Sequence, residues 1–292
     1  MKKHLFVINP VSGSANTHEL LHDIDRHFST SHTEFKILQT TGSNDAAAIQ
    51  HALNTYLPDV VGVAGGDGSI NMVAPLLIST GIPLGIIPSG SANGLAGEFG
   101  ISMDNALQNI LGERTRHLDV ALINDRHYML HMADLGLNAS LVRRYEEENR
   151  SGFMGYAISA IQELPMLQRH FRVIITSGNS KTEFETNFLV IANTRMYGTG
   201  YEVNPVGKFD DQQVELCMMK PLSAELIINN LFLQNQPDRD SELFDIYSYQ
   251  EVHIQSSTPI DFQSDGEYIG ELTDLHIRVL SDQLRIVVPD QS

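Results

Sequence analysis

Two short stretches combine glycine with carboxylate in a way that suits work on phosphate and hydroxyl groups. The first is Gly65-Gly66-Asp67-Gly68-Ser69. Its glycines let the backbone turn sharply and approach a ligand closely. The apolar helical pattern from Asn71 would offer N–H groups to an anion, phosphate being the usual one. A carboxylate inside such a turn suits a neighbouring cation or a hydroxyl to be deprotonated. Alone, Gly-Gly-x-Gly reads more simply as a strand–turn–helix junction with an exposed Asp67. The second stretch is Asp265-Gly266-Glu267, with Asp261 upstream. Its carboxylates form either a β-turn of the Asp-Gly kind or a pair projecting into a cleft, one as general base and the other orienting the substrate or engaging a cation. A third candidate is Asp210-Asp211 in the polar loop Asn204–Gln213. With loop carbonyls these aspartates can hold a hard cation such as Mg²⁺ or Ca²⁺, and a solvated acidic turn explains them equally well.

The elements that must position these groups follow from periodicity. Strand patterns at Leu5–Ile8, Glu34–Leu38, Val60–Ala64 and Leu84–Ile87 alternate with helical patterns at Thr17–Phe28, Asp45–Leu57 and Asn71–Ile78. That alternation predicts a parallel α/β sheet, whose ligands sit beyond the carboxyl ends of the strands. The loops there are Asn9–Asn16, Thr40–Asp45 with Ser43 or Asn44 as N-cap, the glycine turn, and Pro88–Ala96. Pro88-Ser89-Gly90-Ser91-Ala92-Asn93 could be an ordinary hydroxyl-capped loop. Beside a second glycine turn on a parallel sheet, it reads better as part of a phosphate cradle.

After residue 117 the pattern changes. Leu118–Ile123 and Tyr128–Met132 predict a hairpin about Asn124-Asp125. Helical patterns follow at Asn138–Arg150, Phe153–Leu164 and Ala224–Leu233. Strand patterns lie at Arg172–Thr176, Phe184–Ala192, Val214–Met219, Glu251–Gln255, Leu275–Leu280 and Leu284–Val288, with turns at Gly178-Asn179 and Ser281-Asp282. The expected fold is an α/β N-terminal domain with a parallel sheet (residues 1–118) and a mostly antiparallel β C-terminal domain (residues 119–292). A ligand cleft is expected between them.

Composition bounds the function. With 36 acidic against 19 basic residues the net charge is −17, which argues against nucleic-acid binding and against docking on anionic lipid through a basic patch. The single Cys217 reads as a buried strand thiol in a reducing compartment. The 12 histidines show no ligand-type spacing and read mostly as surface residues. No signal peptide or apolar run of membrane-spanning length is evident.

Taken in order, Asn9-Pro10-x-Ser12-Gly13, Gly65-Gly66-Asp67-Gly68-Ser69, Pro88-Ser89-Gly90-Ser91-Ala92-Asn93, Asn193-x-x-x-Tyr197-Gly198 and Asp265-Gly266-Glu267 resemble the diacylglycerol kinase catalytic-domain family. That family includes bacterial lipid kinases and the sphingosine and ceramide kinases. The resemblance covers nearly the whole chain and implies ATP-dependent phosphoryl transfer to a lipid hydroxyl, with the nucleotide in the interdomain cleft. On the family pattern Asn9, Pro10, Ser12, Gly13, Thr41, Gly65, Gly66, Asp67, Gly68, Ser69, Asn71 and Ser91 contact ATP. Asp67 would sit by the phosphates and their Mg²⁺, and Glu267 would take the proton from the acceptor. Asp211 would supply a side chain to a structural Mg²⁺ site, helped by the carbonyls of Lys208 and Gln213. The resemblance further implies a cytoplasmic protein that touches membranes transiently to reach a lipid alcohol, with a homodimer allowed.

This chain departs from the pattern at four positions. Ser69 replaces the usual Thr and keeps its hydroxyl, Met72 replaces a Glu, Asn138 stands where many members have Asp, and Gln212 replaces a Gly. Two other functions compete. An NAD-kinase-like phosphotransferase on a soluble acceptor is weakened by Ser91-Ala92-Asn93-Gly94 in place of that family's Asn-Glu pair. A non-catalytic nucleotide or lipid sensor is motivated by Met72, Asn138 and Gln212, and opposed by the retained Asp67 and Glu267.

Overall fold

The structure, a computed structural model, describes residues 1–12, 17–31, 33–112, 114–136, 139, 170–197, 201–220 and 244–290. Gly13, Asn138, Gly198 and the three expected helices after residue 137 lie outside that set, Ala139 excepted. The chain divides into two compact units, residues 1–118 with 282–292, and residues 119–281.

The first unit contains β1 (Lys2–Ile8), α1 (Thr17–Phe28), β2 (Thr33–Gln39), α2 (Asp45–Tyr56), β3 (Val60–Gly65), α3 (Asp67–Leu77), β4 (Leu84–Pro88), α4 (Gly94–Glu98) and α5 (Met103–Leu111). Its strands run in the order β2-β1-β3-β4, all parallel, with Val7 between Leu38 and Val63. The chain steps from β1 to one side and returns to the other, so the connections diverge between β1 and β3. In an open parallel sheet that crevice, at the strand carboxyl ends, is where a ligand binds.

Local sequence explains these elements. Every residue of β3 is buried, as expected of a strand covered on both faces. α1 turns Leu20, Ile24 and Phe28 inward at four-residue spacing. α5 was not anticipated, although its signal is present: Ser102 followed by Asn105, whose side chain accepts the Ser102 N–H at 2.9 Å. α2 also starts differently from expectation. Asn44 occupies the cap position in a left-handed conformation without a side-chain bond. Asp45 reaches back instead, accepting from the N–H groups of Thr41 and Gly42, both at 2.8 Å. Those bonds, the one from Thr41 foremost, lower the Asp45 pKa.

His4 is an exception to the expectation of mostly surface histidines. It is fully buried in β1, 5.0 Å from the Phe28 ring centroid, and neither ring nitrogen has a hydrogen-bond partner among the described residues. Burial, reinforced by Lys2, lowers its pKa below 6.5. The folded state therefore prefers neutral imidazole, while the unfolded chain takes up a proton near pH 6.5. Stability from this group is complete above that pH and is lost as pH falls from 6.5 toward the folded pKa, by up to about 1.4 kcal/mol per pH unit. Urea denaturation at pH 7.5 and 5.5 should show that loss in the wild type and a smaller one in His4→Phe. Equal losses in the two proteins would contradict it.

β5 (Thr115–Ile123) leads into the second unit, which adds β6 (His127–Met129), β7 (Met132–Gly136), β8 (Phe171–Ser177), β9 (Ser180–Thr186), β10 (Phe188–Ala192), β11 (Met196–Tyr197), β12 (Tyr201–Glu202), β13 (Val214–Met219), β14 (Phe244–Tyr249), β15 (Glu251–Ser264) and most of β16 (Glu267–Val287). Its pairings β14-β13-β10-β7-β15 and β15 with β8 and β16 are all antiparallel. β10 and β13 are buried on both faces: Leu189, Ile191, Leu216 and Met218 enter one apolar cluster, Val190, Ala192, Cys217 and Met219 another. Burial pushes the Cys217 thiol pKa up, so that sulfur is inert, as expected of a structural thiol.

Several strand boundaries differ from the sequence reading. Phe184–Ala192 is two strands, because the Thr186 hydroxyl takes the Phe188 N–H at 3.2 Å and interrupts the run at Asn187. The partner of β5 ends at Met129, since the N–H groups of residues 130–132 turn to Asp265. β15 continues through the loop-like Ser256–Pro259 by an irregularity between Gln255 and Ile260, where a proline is tolerated. Ser281-Asp282 is no hairpin turn. Asp282 takes φ 54, but β16 runs on through it. Residues 282–290, expected in the second domain, consequently belong to the first unit. Ile286 pairs with Leu84, and the Val288 N–H donates to the Arg114 carbonyl at 3.1 Å.

Candidate active site

In the first unit the loops after β1, β3 and β4 interlock. The Ser12 hydroxyl accepts the Gly66 N–H at 3.1 Å, and the Asn9 side-chain amide donates to Ser69 Oγ at 3.2 Å. The Ser89 N–H donates to the Gly65 carbonyl at 3.0 Å. The two glycine turns touch backbone to backbone: a Cβ on Gly90 would lie 2.3 Å from Gly66 Cα. Only glycine permits that approach. Asn93 closes its own loop, accepting the Gly90 N–H at 2.9 Å and donating to the Gly90 carbonyl at 2.8 Å.

The glycine turn is shorter than the sequence suggested. α3 begins at Asp67 rather than Asn71, because Gly66 is its N-cap and the Ser69 and Ile70 N–H groups already donate to the Gly66 carbonyl. Asp67 is thus a first-turn helical residue, favourable for an acid. Its two carboxylate oxygens accept from the N–H groups of Gly94 (3.0 Å) and Leu95 (3.2 Å). Asp67 ties α3 to the start of α4, and further lone pairs on its oxygens stay available to a cation.

The other expected nucleotide contacts are spread around this core. Asn71 lies in α3, Gly68 and Ser91 are exposed, and the exposed Pro10 accepts the Thr17 hydroxyl at its carbonyl, 3.2 Å. Ser69 is buried and engaged with Asn9. Thr41 follows the neighbouring strand β2, its hydroxyl bonded to Asp45 at 3.1 Å.

In the second unit Asp265 and Glu267 have different fates. Asp265 (φ 50) and Gly266 (φ 86) form the two-residue turn between β15 and β16. The Asp265 carboxylate accepts from the N–H groups of Leu130, His131 and Met132 at 2.8, 2.9 and 3.0 Å. It is a structural clamp. Glu267 is exposed, and no side-chain bond engages it among the described residues. The two carboxylates do not form a cooperating pair, and Glu267 alone is uncommitted. Tyr268 claims Asp261, its hydroxyl donating at 2.7 Å.

The 208–213 loop holds Asp211, which accepts the Gln213 N–H at 3.2 Å, while the buried Asp119 accepts the Gln212 N–H at 2.6 Å. No group of three or more His, Cys, Asp or Glu able to hold a metal occurs among the described residues. One carboxylate with the Lys208 and Gln213 carbonyls remains an all-oxygen set of the type a hard cation prefers. Gln212 adopts φ 64, in the left-handed region that glycine enters at no steric cost. A non-glycine residue in that region costs roughly 1–2 kcal/mol, against roughly 0.5–1 kcal/mol of chain entropy that glycine forfeits. Gln212→Gly should therefore raise stability by roughly 0.5–1 kcal/mol, and a lower melting temperature would contradict this reading.

An open cavity of about 620 Å³ in the second unit is lined by Ser177, Tyr249, Glu251, His253 and His276 among others. It is polar rather than the apolar groove an acyl chain would need. Among the described residues no helix is long and apolar enough to cross a membrane.

Comparison with known proteins bears on the whole chain. Residues 3–123 match the diacylglycerol kinase catalytic domain, and residues 132–288 match the YegS C-terminal NAD kinase beta sandwich-like domain. An uncharacterised Synechocystis protein is 29% identical over 308 residues, covering 97% of this chain and 69% of its own. A "probable lipid kinase YegS-like" of Alcanivorax borkumensis is 26% identical, covering 85% of each chain. The crystal structure of a diacylglycerol kinase from Bacillus anthracis superposes with a TM-score of 0.73 at 20% identity, covering 99% of this chain and 97% of that one, which shows a common fold. The chain belongs to the diacylglycerol kinase catalytic-domain family, with a YegS-type C-terminal domain.

Proposed function

We propose that this chain transfers the γ-phosphoryl group of ATP to a hydroxyl of a lipid alcohol, of diacylglycerol or sphingoid and ceramide type. The interlocked glycine loops carry this reading. Gly66 and Gly90 meet backbone to backbone past the carboxyl ends of β3 and β4, beside the switch point between β1 and β3, and small residues with polar groups there form a surface that a polyphosphate can approach closely. Asn9, Pro10, Ser12, Thr41, Ser69, Asn71 and Ser91 surround the nucleotide. Asp67 keeps the second loop in place through Gly94 and Leu95, and its remaining lone pairs would hold the cation that accompanies the phosphates.

Glu267 takes the proton of the acceptor hydroxyl. The acceptor oxygen then bonds to the γ-phosphorus as the bond to the β-phosphate oxygen breaks, leaving ADP. Mg²⁺, when bound, neutralises charge on the phosphates, and at the Lys208–Asp211–Gln213 loop it would brace the second unit. Positioning and charge neutralisation supply most of the catalysis in such transfers. The protein reaches its acceptor by transient contact with a membrane surface from the cytoplasm.

The experiment is incubation of purified protein with γ-labelled ATP, Mg²⁺ and separate panels of lipid alcohols in micelles and of soluble acceptors including NAD. Label should pass into organic-extractable phospholipid. Transfer to a soluble acceptor alone, or nucleotide binding with no transfer to any lipid, would overturn the proposal.

A further inference from the structure

We infer that Asp134 and Gln263 are positioning residues that aim Glu267, an inference that rests on reading Glu267 as the base. Asp134 is fully buried in β7 and Gln263 nearly so in β15, and the two face each other in the antiparallel register. The Gln263 side-chain amide donates to Asp134 Oδ2. Its oxygen accepts the Gly266 N–H at 2.8 Å. One amide thus links a buried carboxylate to the backbone of the residue before Glu267.

The chemistry of the pair makes this link directional. A carboxylate accepts and does not donate, so the Gln263 NH₂ must face Asp134 and its oxygen must face Gly266. The flipped amide would set oxygen against carboxylate and NH₂ against N–H, two repulsions in a dry interior. Placing an acid between the buried Ala133 and Leu135 costs desolvation that an apolar residue would avoid, and fixing the amide gives the acid a purpose. The need is local. The β15–β16 register shifts between Phe262 and Gln263, so the ladder is irregular just before the turn. Asp265 clamps the entry of the turn through residues 130–132, and Gln263 holds Gly266 on the exit side. A catalytic group needs its support held to within about half an ångström.

A charge exchange tests this. Assayed above the pH at which two facing carboxyls can share a proton, Gln263→Glu opposes two carboxylates, whereas the double variant Asp134→Asn/Gln263→Glu restores one donor facing one acceptor and leaves an oxygen for Gly266. Gln263→Met, similar in length and uncharged, removes the link without repulsion. Gln263→Glu and Gln263→Met should lower kcat by about 10–100-fold with the KM for ATP within about twofold of wild type. The double variant should recover most of that loss. Exchange of the Gly266 amide hydrogen should accelerate at least about tenfold in both single variants and return in the double variant, as expected for a local opening. If wild type and Glu267→Ala transfer phosphate equally, the base assignment fails on its own, and Gly266 exchange still decides the link. Wild-type Gly266 exchange in the folded single variants, or no recovery in the double variant, would overturn the inference.

Discussion

Glu267→Gln is expected to lower kcat for lipid phosphorylation by about 10²–10⁴-fold, the usual worth of a general base, while nucleotide affinity stays within about twofold. The variant keeps the side chain's size and removes its basicity. Its expected effect on folding is small, because Glu267 is exposed and engaged by no side-chain bond among the described residues. Asp265→Asn makes the opposite contrast. That carboxylate accepts three backbone N–H groups, so its loss should lower the melting temperature first and activity only as the turn loosens. Steady-state kinetics with calorimetric unfolding separate the two. A Glu267→Gln enzyme with wild-type kcat would remove the base from the account.

Gly90→Ala is the second large effect. The added methyl would lie 2.3 Å from Gly66 Cα and 3.0 Å from Gly66 N. Backbone atoms cannot move aside as a flexible side chain would, so the two turns must separate. Misplacement by about 1 Å in such a cradle costs on the order of 10²-fold, and the overpacking costs about 1–3 kcal/mol of stability. We expect kcat/KM for ATP to fall on the order of 10²-fold with the lipid KM little changed. Gly66→Ala should be milder, since its Cβ would meet Gly90 Cα at 3.1 Å. Titration of nucleotide binding by calorimetry checks the order, and Gly66→Ala proving the more damaging would contradict it.

Much of the cradle was legible because its parts are local. Strand, glycine turn and helix follow one another within the single stretch Val60–Val73, and periodicity shows each of them. The parallel order then carries the loops after β1, β3 and β4 to one end of the sheet. The partners of Asp67 were not legible. Gly94 and Leu95 lie 27 and 28 residues away, and backbone N–H groups leave no mark in a side-chain sequence.

The Asp265 turn illustrates the same limit. Asp-Gly announces a tight turn, but whether Asp265 or Glu267 remains available depends on the N–H groups of residues 130–132, which no local pattern ties to it. β16 misled for a physical reason as well. Asp282 does take a left-handed backbone conformation, as a turn residue would, yet one such residue bends a strand without reversing it. His4 shows how composition misleads: a histidine among Leu5, Phe6 and Val7 is buried by its strand whatever its polarity.

The most direct test of phosphoryl transfer to a lipid hydroxyl uses diacylglycerol, a sphingoid base and ceramide in turn, each with ¹⁸O in its free hydroxyl. With ATP and Mg²⁺, the phospholipid formed should retain the ¹⁸O in the ester bridge to phosphorus, read by mass spectrometry, because the acceptor oxygen itself attacks the γ-phosphorus. Release of the phosphate as inorganic phosphate with the lipid unchanged, or a phospholipid without ¹⁸O in that bridge, would contradict the account.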